Sequence, residues 1–361
     1  MKRRRHVDWL RGVAVLVMIL WHAVDAWTLD GVRTGATFWV VTFFGGWAAP
    51  SFLFLAGVSV PLAGAARAAR GQDRTAVGRS LTRRAWEIFL IAHVFRLQSF
   101  LFNGARRWSA ILKPDILNIL GLGLVAVSWC WRRIEDVRRQ RAAFAGLALL
   151  LVVLTPFARG WWWPTLLYPR FEAYIRPVDN LGVFALFPWV GYIFGGAWVG
   201  SFMATETDAA RDTELHRWFT AVGAWALGVG LFFGLTAVHL PSVAWLVPAL
   251  SPFLWRTGSL ILALVLARLY WQVRSDRWSP MVLFGRASLF VYWVHVELAY
   301  GVISRPWHKS LSLTESLTAY AGLTVLMLGL AALWQKDPKG QKSRRSKPVP
   351  MTKAGIKNRN A

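Results

Sequence analysis

Ten apolar segments, each long enough to cross a lipid bilayer, dominate this chain of 361 residues. They cover approximately residues 7–27, 45–66, 84–102, 115–131, 141–158, 181–202, 218–240, 252–271, 280–303 and 315–334. With 55% hydrophobic residues, including 23 Trp and 22 Phe, the chain is too apolar for a soluble protein of several domains. Since a membrane-spanning helix needs roughly 20 apolar residues, we predict an all-α fold, a polytopic membrane helix bundle of about ten transmembrane helices.

Lys and Arg are unevenly distributed between alternate loops. With a cytoplasmic N-terminus, the cytoplasmic segments carry roughly three times as many Lys and Arg as the outer segments, in agreement with the positive-inside rule. Both termini are therefore predicted to be cytoplasmic. Residues 1–335 form the predicted membrane-embedded domain, and residues 336–361 a basic cytoplasmic tail that is disordered. Residues 36–44 are predicted to form a separate helix on the outer face, before the second span.

The formal net charge of +24 does not indicate a nucleic-acid partner. No aromatic and basic residues interleave on a polar face, so membrane lipids are the expected partners of the basic segments. The single cysteine, Cys130, excludes an internal disulfide, and no Cys/His spacing predicts a metal site. The opening MKRRRH resembles a signal peptide, but Arg11 interrupts the apolar run, and we interpret it as an uncleaved first span.

The first span, DWLRGVAVLVMILWHAVDAW, carries four polar side chains in an apolar helix. Arg11 and His22 are separated by close to three helical turns, so they share one face, about 16 Å apart along the axis. Asp8 and Asp25 fall on or near the same stripe. Charged groups inside a membrane usually face the bundle interior or a watery cavity. We predict that His22 is a catalytic base oriented by Asp25, and that Arg11 contacts an anion.

Arg11 and His22 each also have a purely structural interpretation. Arg11 alone could extend its side chain to the aqueous interface, and His22 alone could be a packing histidine with satisfied hydrogen bonds. Their shared helix face favours a functional site, because two independent coincidences would have to align.

Other polar residues in or beside the spans divide by predicted depth. We interpret the outer set as acceptor-binding or supporting groups: His93, Arg96, Asp115, Asp179 and His295, with Asn180 and Glu297 nearby. The inner set is basic: Arg11, Arg83, Arg84, Arg268 and Arg286. This division suits a polyanionic donor that arrives from the cytoplasm and an acceptor that approaches from outside. Arg83 and Arg84 also fit the positive-inside rule alone.

The loop ARGWWWPTLLYPRFEAYIRPVDN, residues 158–180, is unusually aromatic. One interpretation is an aromatic belt at the membrane surface. The other is a lid over an outward-facing pocket, because aromatic faces also stack on sugar rings. The sequence leaves both open.

Several motifs together resemble a known family. The segment RGVAVLVMILWH, with ten residues between Arg11 and His22, is similar to the motif of transmembrane acyltransferases, including the acyltransferase-3 family. The blocks AAPSFLFLAGVS, KPDILNILGLG, FALFPWVGYIFGGAWVG and LFGRASLFVYWVH narrow the resemblance. Together they resemble the bacterial form of the heparan-α-glucosaminide N-acetyltransferase catalytic-domain family, over most of the chain.

The resemblance implies transfer of an acyl group, typically acetyl, from cytoplasmic acyl-CoA to a sugar amine or hydroxyl at the other face of a bacterial inner membrane. Acyl-CoA is then the co-substrate, with no bound cofactor or metal, and its phosphates would meet Arg11, Arg286, Arg83 and Arg84. Asp25, Asp115 and His295 match recurrent polar positions of the family. The lysosomal branch uses a histidine after the first span, where this chain has none, so His22 would have to fill that role.

Two other functions and the oligomeric state remain open. A proton-coupled transporter could use the same buried His and Asp residues as a relay, although no internal repeat supports it. A non-catalytic scaffold for envelope assembly is the third interpretation. The sequence does not decide between a monomer and a homodimer.

Overall fold

The computed structural model describes residues 4–103, 108–206, 208–236, 244–274 and 278–336, and these residues form helices and no strand. The helices are α1 (Arg5–Trp27), α2 (Ala36–Ala68), α3 (Arg74–Asn103), α4 (Ile116–Arg133), α5 (Val137–Val153), α6 (Thr155–Gly160), α7 (Pro169–Ile175), α8 (Leu186–Thr205), α9 (Ala209–Thr236), α10 (Val247–Val273), α11 (Pro280–Arg286), α12 (Ser288–Tyr300) and α13 (Leu313–Lys336). Short 3₁₀ helices lie in four of the connections that these residues include. The predicted all-α class is confirmed.

Eight of the described helices are long and apolar enough to cross a membrane. Helices α11 and α12 are bent by 88° at their junction, and counting this pair as one span brings the number to nine among the described residues. Helix α4 has 18 residues, ends on Arg132 and Arg133, and is not one of the eight. Each of the ten predicted segments overlaps a helix, but the count of ten and the cytoplasmic termini stay predictions. The predicted tail, 336–361, lies almost entirely outside the described residues.

Helix α2 is one continuous helix of 33 residues. The prediction of a separate helix over residues 36–44 was therefore wrong. At 1.5 Å per residue, α2 is about 50 Å long, which exceeds a bilayer core of about 30 Å. Its first turns carry exposed apolar side chains, including Trp39 and Phe43, and the backbone continues through them without a break.

Helix α1 lies in the middle of the bundle, packed against α2, α10, α11, α12 and α13. We name the two ends of the bundle by its residues: the Arg4 face, where α1 begins, and the Asp25 face, where it ends. At the Arg4 face, Asp212 accepts hydrogen bonds from Arg4 (2.6 Å) and Arg268 (2.7 Å). These two hydrogen bonds join α1, α9 and α10. Arg268 is therefore paired with Asp212 in a structural contact.

Glycines allow α2 and α8 to approach closely. A Cβ on Gly57 would overlap the Ile193 carbonyl, and a Cβ on Gly196 would overlap the Phe54 carbonyl. Both obstacles are backbone atoms, which cannot rotate away as a flexible side chain can. The small-residue spacing of GYIFGGAWVG is therefore a helix contact, as such spacing often is in membrane proteins.

We expect Gly196→Ala to destabilise the protein by about 1–3 kcal/mol, the usual range for overpacking. The added methyl group forces α2 and α8 apart. Gly146→Ala is the matched control, because a Cβ at Gly146 meets nothing within 4 Å and alanine favours a helix by about 1 kcal/mol. Thermal unfolding in detergent, followed by tryptophan fluorescence, measures both variants. Equal stability of the two would contradict the close contact.

Candidate active site

His22 on α1 and His295 on α12 form a hydrogen-bonded pair. His22 Nδ1 lies 2.8 Å from His295 Nε2, and the two rings are stacked with centroids 5.0 Å apart. His295 is fully buried, whereas His22 is partly accessible from two cavities. The pair joins residues that are 273 positions apart in the chain.

The hydrogen bonds of this pair assign its protons. His295 Nδ1 lies 2.6 Å from the Val291 carbonyl oxygen, and because a carbonyl only accepts, this nitrogen carries the hydrogen. In neutral imidazoles, His295 Nε2 is then an acceptor, so His22 Nδ1 donates to it. His22 Nε2 consequently keeps its lone pair. The geometry gives His22 the tautomer that a general base needs.

Asp25 lies next to this pair but does not hold the His22 ring. Its carboxylate accepts a hydrogen bond from the Tyr300 hydroxyl (2.7 Å), and Arg33 and Lys309 lie 3.4 and 3.8 Å from it. The Tyr300 ring contacts His22 edge-on, with centroids 5.6 Å apart. His295 therefore takes the orienting position that we predicted for Asp25, which is drawn instead to the cations at the end of α1. A catalytic role for Asp25 remains a prediction.

Asp115 caps α4 and organises polar groups beside His22. It accepts hydrogen bonds from its neighbour's backbone N–H (2.5 Å) and from the Tyr292 hydroxyl (2.9 Å). Arg96 lies 3.3 Å from its second oxygen. The capping box with Asn118 fixes the carboxylate at the helix start. Both carboxylate oxygens of Asp115 thus have partners, and Asp115 holds the side chains of Tyr292 and Arg96 in place.

Two titratable groups outside the long apolar helices border Asp115 and Arg96. Burial, with Arg96 nearby, lowers the pKa of Lys113, whose ammonium donates to the Asn180 carbonyl at 3.1 Å. Burial, with a further contribution from Asp115, raises the pKa of Tyr174 to about 12. Neither group lines the cavities next to His22.

A basic cavity of about 420 Å³ lies toward the Arg4 face. Its walls are mostly apolar, and four arginines line it: Arg11, Arg67, Arg84 and Arg286. Arg11 donates to the Ser59 hydroxyl (2.6 Å), and the Asp8 carboxylate lies between Arg11 (3.5 Å) and Arg286 (3.8 Å). Gly12 and Gly285 let α11 pack onto α1 here, since a Cβ on either would overlap backbone.

A second cavity of about 440 Å³ contains His22, and we call it the histidine cavity. It shares Phe52, Ile116 and Tyr292 with the basic cavity. A third cavity of about 340 Å³ lies on the other side of His22 and Tyr292 and contains Arg96. His22 and the four arginines therefore line adjoining spaces, separated by three side chains.

Three of the predicted site residues lie away from these cavities. Arg83 has a side chain 84% exposed and pairs with Glu87 at 3.4 Å. His93 contacts the Ile111 carbonyl (3.2 Å) and the Asn118 amide (3.2 Å), so it supports the start of α4. Asp179 is exposed and borders a separate surface cavity. Their assigned roles stay predictions without support from this geometry.

The aromatic loop does not cover His22. Trp162 is 74% exposed, and the loop residues Trp161–Trp163 are not among those that line the histidine cavity. The residues that follow the loop in the chain, Val183, Phe184 and Trp189, line the histidine cavity instead. The structure therefore favours the aromatic belt over the lid.

Sequence reasoning missed several residues that line the cavities. Tyr292, Tyr300, Arg67 and Arg256 were assigned no role, although Arg256 is a charge within an apolar segment and could have been singled out on that ground. The tyrosines carried no such signal, because aromatic residues are common in membrane helices. Among the described residues, no group of three or more His, Cys, Asp or Glu could hold a metal ion.

Comparison with known proteins gives one family. A family profile described as heparan-alpha-glucosaminide N-acetyltransferase, catalytic, matches residues 3–235, which is more than half of the chain. Arg11, His22 and Asp115 lie within the matched range, whereas Arg256, Arg286 and His295 lie beyond it. A search of curated proteins found no match.

Proposed function

The chain belongs to the heparan-α-glucosaminide N-acetyltransferase catalytic family, and on this premise we propose that it acylates a glycan across a membrane. Its family and the eight long apolar helices among the described residues indicate an integral membrane acetyltransferase. The finer proposal is that an acyl group, acetyl in the first instance, passes from cytoplasmic acyl-CoA to an amine or hydroxyl of an amino sugar or glycan. The membrane would be a bacterial inner membrane, with the Arg4 face cytoplasmic.

The observation that carries this proposal is the junction of the basic cavity with the histidine cavity. Acyl-CoA has a polyanionic end and an apolar, narrow acyl-bearing end. The arginines of the basic cavity suit the phosphates, and its apolar walls suit the chain that leads to the thioester. Phe52, Ile116 and Tyr292 separate this space from His22. The thioester would therefore lie at these three side chains, where the basic cavity meets the histidine cavity.

The chemistry assigned to His22 is general base catalysis. His22 Nε2 takes the proton of the acceptor amine or hydroxyl as that atom attacks the thioester carbonyl carbon. The carbon–sulfur bond then breaks, and the coenzyme A thiolate leaves and receives the proton from His22. His295 holds the His22 ring and stabilises its protonated form by accepting from Nδ1. This sequence needs no acyl-histidine intermediate.

The direct test is acyl transfer by the purified chain. It should move labelled acetyl from acetyl-CoA to at least one amino sugar or glycan in a panel, as detected by mass spectrometry. Solute uptake into vesicles in the absence of acyl-CoA, with no transfer to any acceptor, would instead support a transporter.

We expect Arg286→Gln to raise the KM for acetyl-CoA by about tenfold, which corresponds to one charge-assisted phosphate contact. The acceptor KM should not change, because Arg286 does not line the histidine cavity. Arg83→Gln is the matched control, since it removes the same charge from an exposed position outside the basic cavity. Steady-state kinetics with each substrate varied in turn distinguishes the two. A rise in the acceptor KM alone would contradict the assignment of the basic cavity to the donor.

A further inference from the structure

Two of the three side chains that separate the basic cavity from the histidine cavity are fixed by polar contacts or a helix start. The Tyr292 hydroxyl donates to Asp115 (2.9 Å), and its ring centroid lies 6.3 Å from that of Phe95 and 6.0 Å from that of His295. Ile116 is buried at the first residue of α4, where its backbone N–H donates to the Asp115 carboxylate (2.5 Å). Replacing either residue would disturb Asp115 as well as the junction of the cavities.

Phe52 on α2 is the third separating side chain, and packing alone positions it. It is partly buried and lies against the apolar core. Its ring carries no polar atom, so no hydrogen bond ties it to the groups around His22. Phe52 can therefore be varied in size without breaking a polar contact of the site.

The neighbours of Phe52 along the same face of α2 are small. Gly45 and Ala49 line the histidine cavity, and Ala56 and Ser59 line the basic cavity. These residues follow one another at spacings of three or four, which places them with Phe52 on one side of the helix. Phe52 lines both cavities, and it is the bulky side chain of this row. Its ring therefore stands where α2 passes from one cavity to the other.

This position brings Phe52 against the acyl group of the donor. With the phosphates of acyl-CoA at the arginines and its thioester at the junction, the acyl carbons lie beside the Phe52 ring. Acetyl ends with the methyl group next to the thioester carbonyl, whereas butyryl continues for two more carbons and needs the space that the ring fills. A well-packed apolar site discriminates by about tenfold or more for one methylene group.

We propose that Phe52 sets the upper limit on the length of the acyl chain that the donor can carry. The ring admits acetyl and excludes butyryl and longer chains. Replacing it with a smaller side chain joins the basic cavity to the histidine cavity and gives the longer chain room. This inference rests on the proposed function, because it takes acyl-CoA as the occupant of the basic cavity.

Binding to the full-length protein in nanodiscs tests this limit without requiring turnover. The probes are coenzyme A, acetyl-CoA and butyryl-CoA. The wild-type protein should bind butyryl-CoA at least about tenfold more weakly than acetyl-CoA, and Phe52→Ala should reduce this difference to about twofold. Coenzyme A has no acyl group and should bind both proteins equally. Phe44→Ala is the matched control, because it removes the same ring from an exposed position of α2 that lines neither cavity.

The outcomes separate this proposal from the proposed function. Phe52→Leu keeps an apolar side chain of intermediate size, so it should give an intermediate preference and serves as the test if the alanine variant does not fold. Equal binding of the two thioesters by the wild type overturns the limit, and so does a preference that Phe52→Leu retains in full. Both results leave acetyl transfer untouched. A wild-type protein that binds neither coenzyme A nor its thioesters overturns the proposed function, and this proposal with it.

Discussion

Replacing His22 with glutamine should slow acetyl transfer by about a thousandfold, which is within the usual contribution of a positioned general base. Glutamine has a similar reach and can donate to His295 Nε2, so the packing of α1 against α12 should survive. It cannot, however, accept and release the acceptor proton. The binding of acetyl-CoA should not change, because the basic cavity is untouched.

Single-turnover rates with saturating acetyl-CoA measure the chemical step for His22→Gln directly. His308→Gln is the control, because His308 is exposed near the Asp25 face and does not line the basic cavity, the histidine cavity or the third cavity. Transfer by His22→Gln at the wild-type rate, in protein with a normal unfolding temperature, would show that His22 is not the base.

His295→Phe should lower the transfer rate by about 10–100-fold, as expected for a residue that orients a catalytic group. Phenylalanine fills a similar volume but offers no acceptor to His22 Nδ1–H. The ring of His22 then loses its orientation, and its preferred tautomer is no longer fixed. His295→Gln provides an amide oxygen as acceptor and should keep more activity than the phenylalanine variant.

The difference between the two His295 variants is the informative measurement. His295 is fully buried, so both variants also need an unfolding measurement, because leaving a buried N–H without a partner costs about 1–3 kcal/mol. Equal transfer rates in the two variants would indicate that His295 only fills space.

Much of this site was predictable from sequence. The stripe of Arg11 and His22 follows from helical periodicity along one segment, and both residues line the cavities that it suggested. The predicted separation of basic groups from other polar groups is seen in Arg286, which lines the basic cavity, and Asp115, which lines the histidine cavity; their cytoplasmic and outer placement stays a prediction. Each of these predictions depends only on the rise and the period of a single helix, or on the order of helices along the chain.

The predictions that this geometry does not support have a common physical cause. Arg83 and Arg84 are adjacent in sequence, but only Arg84 lines the basic cavity, because consecutive residues on a helix point about 100° apart. Asp25 was expected to orient His22 because it is three residues away, yet Tyr300 and two cations from other segments bind it instead. Sequence spacing gives the face of a helix, but not which neighbour that face meets.

The sequence by itself determined the helical membrane class, the family and the polar stripe of the first span, since these depend on local hydrophobicity, period and motif. Only the tertiary structure decided that His295 holds His22, that Phe52, Ile116 and Tyr292 separate two cavities, and that Arg256 lies in the same cavity as the base. These arrangements depend on the rotation and close approach of helices far apart in the chain. Such packing is set by contacts such as those of Gly12 and Gly196, and no local pattern specifies it.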